Sequence, residues 1–203
     1  METTIEQILD GIPDKREWKT TTSLKFKRDL YKYFSELDVG DKNVIELGTS
    51  AGYTTRVLSF LFNKVFTFDI EDDGKSKIFN KDRGNISHLY QDIYSISIDE
   101  TRAPWWEIDD NVSVIFVDAA HDYDKVKMDI NNSLKVKDDC MIIFDDYGLM
   151  PGVKRAVYEA IKEKRIQPVC YLGEPPGADC RRGKFLTDWE GLICVGTKGV
   201  DNE

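Results

Sequence analysis

The chain has 203 residues, 41% apolar and 32% charged, a balance that suits a globular fold with a sizeable core. Its formal net charge of −9 disfavours nucleic acid or an anionic membrane as the main partner, because phosphate binding needs a basic face. No apolar run approaches the length needed to span a bilayer.

The opening stretch METTIEQILDGIPDK lacks a basic region followed by an apolar one, so a cytoplasmic location is expected. Thr3 to Leu9 reads as a short helix. Thr20 to Asp38 carries Leu24, Phe26, Leu30, Tyr31, Tyr33 and Phe34 at the spacing of an amphipathic helix capped by Thr or Ser. NVIELG is a first strand, and SAGYTTRVLSFLFN a helix that is apolar on one face. KVFTFDI is a second strand, HLYQDI a third and weaker one, VSVIFVDAA a fourth and CMIIFDDY a fifth. YDKVKMDINNSLKV forms a helix between the last two. VKRAVYEAIKEKR forms another, opened by Pro151 and Gly152. IQPVCYLG and GLICVGT close the chain as two strands with no helix between them, expected to pair as an antiparallel hairpin at a sheet edge. There is no internal repeat and no low-complexity segment.

Strands alternating with helices predict an α/β layered fold with a mostly parallel sheet. We expect a single domain over residues 1–203, with a helical cap in 1–40 and the core in 41–203. Such sheets bind ligands outside the carboxyl ends of their strands, where Glu46, Asp69, Asp118, Asp145 and Asp146 would gather. Cys140, Cys170, Cys180 and Cys194 show no CxxC spacing and no histidine cluster, which disfavours zinc. Cys140 and Cys194 read as buried small hydrophobes, and reduced thiols are the expectation for all four.

NVIELGTSAGYTT carries E-x-G-x-x-x-G at Glu46, Gly48 and Gly52. It lacks the third glycine and the spacing of a dinucleotide fingerprint, and its acid would repel a pyrophosphate and attract a cation or an amine. The segment resembles motif I of the class I S-adenosylmethionine-dependent methyltransferases. The resemblance implies a Rossmann-like, doubly wound, seven-stranded sheet. It also implies that Gly48, Thr49, Ser50, Gly52, Tyr53 and Thr54 wrap the methionine part of the donor while Glu46 meets its amino end. Asp69, 23 positions after Glu46, would hold the ribose hydroxyls beside Ile70. Asp92 and Ile93 would flank the adenine, and Asp118 would complete the donor site. A purely structural turn at Gly48 and Gly52 is the alternative.

Asp118 ends strand four, and Asp145 and Asp146 end strand five. Adjacent strands would bring these carboxylates about 5 Å apart, where they repel unless a cation joins them. A hard divalent ion with oxygen ligands and open positions, Mg²⁺ first, meets that need. DAAHDYDKVKMD and DDYGLMPGVKRAV carry D-x-x-H-x-Y and D-D-Y…P-G-V. They resemble the methyltransferase-24 and macrocin-type sugar O-methyltransferases, and more distantly the catechol type. The resemblance spans roughly Asn43 to Ile161 and implies a metal at Asp118, Asp145 and Asp146. It also puts His121 where the catechol type has a catalytic lysine. A histidine suits proton removal near neutral pH. His121 could instead ligate the metal or partner a helix N-terminus.

Asp122, Asp124 and Asp129 read as acids of a helix N-terminus and its polar face. Tyr123 and Tyr147 either line a substrate pocket or pack, and Trp105 and Trp106 lie under the sheet or wall the site. Trp18 to Ser23 is placed over the methionine end. Leu172 to Phe185, with Arg181, Arg182 and Lys184, is a solvated loop or a lid over an anionic substrate. The expected activity is methylation of a hydroxyl on a sugar-like or phenolic small molecule, with S-adenosylmethionine and a divalent metal; a homo-oligomer is left open. An NAD(P)-dependent oxidoreductase, a non-catalytic donor-binding module, and a methyltransferase acting on protein or nucleic acid are the competing readings.

Overall fold

The computed structural model describes residues 3–13, 21–95, 104–108, 111–181 (the backbone only at 181) and 184–197. Trp18, Arg182 and the 101–103 segment therefore lie outside the described residues.

Helix α1 (Ile5–Ile8) is capped by Thr4 and Gln7, and α2 (Leu24–Ser35) by Ser23, whose hydroxyl accepts from Phe26 N. Then come β1 (Asn43–Leu47), α3 (Tyr53–Leu61), β2 (Lys64–Asp69), the short α4 (Lys75–Phe79) and β3 (Ile86–Tyr90). A 3₁₀ turn at Trp105–Glu107 precedes β4 (Val112–Val117), α5 (Tyr123–Val136), β5 (Met141–Phe144) and α6 (Pro151–Lys162). Proline at the first helical position of α6 fits, since that N–H has no partner in the helix. The chain ends with β6 (Ile166–Leu172), β7 (Asp179–Arg181), β8 (Lys184–Phe185) and β9 (Gly191–Gly196).

Seven strands form one sheet in the order β3-β2-β1-β4-β5-β9-β6. The first five are parallel, and β9 runs antiparallel to both β5 and β6. The two closing strands pair as expected, but β9 slots inside and β6 takes the edge. Pro168, which cannot donate to a ladder, sits on that edge strand beside a register shift. The polar loop between them, read from the sequence as a solvated loop or a lid, holds its own ribbon, β7 with β8.

β1 is buried along its whole length and β4 nearly so, which is why both read as continuous apolar runs. One core layer joins the sheet to α5 and α6 through Ile45, Phe144, Val126, Ile130, Val153 and Val157. The other joins it to the first three helices through Phe26, Leu30, Val57, Val65, Val114 and Ile193. The winding direction reverses between β1 and β4, so a crevice opens above their carboxyl ends.

Candidate functional site

A cavity of about 720 Å³ occupies that crevice. Its first wall is the glycine loop. Gly48 has φ +94°, and a Cβ there would stand 2.3 Å from the Asp118 carbonyl oxygen. Only glycine lets the exit of β1 press this closely on the exit of β4. Asp69, at the end of β2, accepts the N–H groups of Thr49 (3.1 Å) and Ser50 (2.8 Å) on Oδ2, and that of Ile70 (2.7 Å) on Oδ1. It shapes the loop and also lines the cavity. Ile70 stands beside it, 67% exposed. Asp92 and Ile93 line the same side, with Asp92 Oδ1 accepting from Tyr94 N at 2.9 Å.

Glu46 departs from expectation: it does not line the cavity. It is 1% exposed because β1 is a central strand buried on both faces. Its Oε2 accepts the hydroxyls of Thr55 (2.6 Å) and Thr67 (2.5 Å) beneath the loop. Burial pushes its pKa up to about 8, against those two hydrogen bonds and with help from the charges of Asp118 and Asp69. Four further glycine-loop residues also stay off the cavity wall. The Thr49 hydroxyl shares a hydrogen bond with Thr67, Thr54 is buried, Tyr53 packs edge-on against Phe79, and the Gly52 carbonyl accepts from Asn80. Gly48 and Ser50 are the loop residues that reach the cavity.

Another part of the lining is acidic. Asp118 and Asp145 follow the paired ends of β4 and β5, and Asp146 follows with φ +57°, a left-handed conformation unusual for a side-chain-bearing residue. All three line the cavity with His121. Among the described residues, the group able to grip a metal ion is Asp118, His121 and Asp146, with one ligand atom from each inside 4.8 Å of the others. His121 Nε2 lies 3.4 Å from Asp118 Oδ1 and 3.3 Å from Asp146 Oδ2. This differs from the expected trio, since Asp145 stands outside the group and His121 takes its place. Asp145 follows directly on β5 while Asp146 turns into the left-handed region, and it is the Asp146 carboxylate that lies beside His121. His121 directly precedes Asp122, the N-cap residue of α5, whose side chain makes no cap hydrogen bond.

The other candidates separate cleanly. Trp105 is 1% exposed in the core with Trp106 edge-on to it, and Tyr147 is likewise buried. Tyr123 donates to Glu159 between α5 and α6. Asp129 is not on a polar face: it is 1% exposed and accepts from the Tyr94 hydroxyl at 2.8 Å. Thr21 lines the cavity, at the end of the stretch placed over the methionine part. Tyr94 and Lys125 also line it and were not singled out, although Lys125 and Asp129 share one helix face at a four-residue spacing.

A seven-stranded sheet of this order, with a glycine loop after β1 and an acid after β2, defines the class I methyltransferase fold. Residues 45–147 match the methyltransferase-24 family model, described as a methyltransferase domain, and the chain belongs to that family. No curated protein matches the chain in sequence. Among solved structures, an O-methyltransferase from Bacillus cereus in complex with SAH aligns at TM-score 0.60 and 16% identity, over 96% of this chain and 90% of that one. The tRNA (m1A58) methyltransferase TrmI from Aquifex aeolicus aligns at 0.63 and 14%, over 97% and 77%. A precorrin-6y C5,15-methyltransferase from Geobacter metallireducens aligns at 0.58 and 12%, over 93% and 96%. Acceptors this different show that the fold alone does not choose one. No helix of the described residues is long and apolar enough to cross a membrane.

Proposed function

We propose that the chain methylates a hydroxyl of a sugar-like or phenolic small molecule, using S-adenosylmethionine and a divalent cation. The observation that carries this reading is the grouping of Asp118, His121 and Asp146 within 4.8 Å in the lining of the cavity that Asp69 and the glycine loop also line. The donor supplies an electrophilic methyl group on a sulfonium centre. Asp69, Asp92, Ile70 and Ile93 hold its adenosine part, and Gly48 and Ser50 leave room for the methionine part.

The acidic pair suits a cation. Two carboxylates this close repel each other, and their oxygens fit Mg²⁺ or Mn²⁺. Asp118 and Asp146 would hold the ion, which when bound lowers the pKa of a hydroxyl beside it. His121 Nε2 takes the hydroxyl proton. The acceptor oxygen forms the new C–O bond as the C–S bond breaks, and sulfur keeps the bonding pair as a thioether. The protein's main contribution is alignment of that oxygen with the methyl carbon. The net charge of −9 speaks for a small acceptor over RNA. Four free cysteines fit a reducing compartment such as the cytoplasm.

Calorimetry tests this reading: SAH is titrated into wild type and Asp146→Ala, with Mg²⁺ and with EDTA, and Mg²⁺ is titrated alone. We expect SAH binding in both proteins and a metal signal that vanishes in Asp146→Ala. A wild type that binds SAH but shows no metal signal removes the cation from the scheme. A wild type blind to SAH overturns the donor assignment. Turnover with His121→Ala, measured on a panel of hydroxylated acceptors, should fall roughly 10²- to 10⁴-fold, the usual contribution of a general base.

A further inference from the structure

Tyr94 is a cavity residue that the proposed chemistry leaves unused. It sits four residues past β3, half-buried, immediately after Asp92 and Ile93. Its hydroxyl donates to Asp129 Oδ2 at 2.8 Å, and Lys125 Nζ lies 5.1 Å from the centre of its ring. Lys125 and Asp129 are one turn apart on α5, so the helix holds both the ring and the hydroxyl of one side chain. Tyr94 also fixes Asp92, whose carboxylate accepts its N–H at 2.9 Å.

Asp129 makes sense only in these terms. It lies in the buried layer among Val126, Ile130 and Ser133, where an apolar residue would pack α5 against the sheet without desolvating an acid. Among the described residues, Tyr94 is the side chain that hydrogen-bonds its carboxyl.

We propose that Tyr94 is a positioning residue of the donor site: anchored through its hydroxyl to Asp129, it fixes the 91–95 segment against α5. This rests on the donor reading above, but not on the metal.

The test measures SAH affinity by calorimetry in wild type, Tyr94→Phe, Asp129→Ala, the double variant and Asp129→Asn. Tyr94→Phe loses one oxygen and keeps the ring on Lys125, so it leaves the packing intact. We expect Tyr94→Phe and Asp129→Ala each to weaken binding roughly five- to tenfold, the double variant no further than either, and Asp129→Asn, whose amide oxygen still accepts the hydroxyl, to stay within about twofold of wild type. Wild-type affinity in Tyr94→Phe overturns the proposal. So do losses that multiply in the double variant, or an Asp129→Asn as weak as Asp129→Ala. A wild type that binds no SAH would instead sink the donor assignment itself, a result distinct from these.

Discussion

Glu46 and Asp129 are two carboxylic acids that the fold removes from water, and burial raises both, to about 8 and about 7. Each therefore holds its proton more tightly in the folded chain than in the unfolded one. Their contribution to stability is fully present below about pH 4, where both states are protonated, and is lost as pH rises toward 7 and 8. Stability of the donor-free protein should fall across that window, by up to about 1.4 kcal/mol per pH unit per group. Melting temperatures recorded from pH 5 to 8 check this, and Glu46→Gln, which cannot ionise, should flatten the decline. The sequence marked Glu46 as a site acid from its place before Gly48, but not its depth, because burial on both faces of β1 depends on strands far along the chain. Asp129 was misread as an acid of the polar face, although the sequence held the contrary signal. It falls on the stripe of Val126, Ile130 and Ser133, and an acid on an apolar stripe is the signal that its charge has a specific partner.

At the level of elements, the central strands were readable because each is a short apolar run buried on both sides. Helix α4 was not, having five residues opened by a left-handed Gly74 rather than by a side-chain cap. The β7–β8 ribbon is shorter still, and two or three residues carry no alternation to detect. The P-G-V sequence that opens α6 has a second meaning visible only in three dimensions. A Cβ on Gly152 would stand 2.3 Å from the His121 carbonyl oxygen and 2.9 Å from Tyr123 N. The missing side chain lets α6 brace the backbone that presents His121. Gly152→Ala should destabilise the protein by about 1–3 kcal/mol through overpacking. It should also lower turnover more than its stability loss explains, because the loop that yields carries His121, the proposed proton acceptor. Thermal melts beside kcat measurements separate the two effects.

Over the whole molecule, Glu190 ties the start of α2 to the arm after β6. Fully buried, it accepts Ser23 N (2.8 Å) and Ser23 Oγ (2.6 Å) from the start of α2, and Glu174 N (2.9 Å) from the arm after β6. Next to Ser23, Thr21 and Thr22 bind the buried ammonium of Lys27, and Thr21 lines the cavity. Thr21 to Ser23 are thus pinned from both sides. Glu190→Ala strands buried donors and should lower stability by about 3 kcal/mol, read as a drop in the urea midpoint with the slope unchanged. A contact across 167 residues left no mark in the sequence, whereas the glycine loop, the acids at strand ends and the order of elements are local and did.

Asp146 keeps a carboxylate at φ +57°, a conformation that glycine adopts without strain. Selection for heat resistance alone would therefore favour Asp146→Gly, which should raise stability by up to about 1 kcal/mol while deleting an acid of the proposed cation site. A library sorted for thermal survival, then sequenced and assayed, would be expected to return that change among its hardiest and least active members. If Asp146 serves the proposed cation site, durability and chemistry are opposing demands on this single residue.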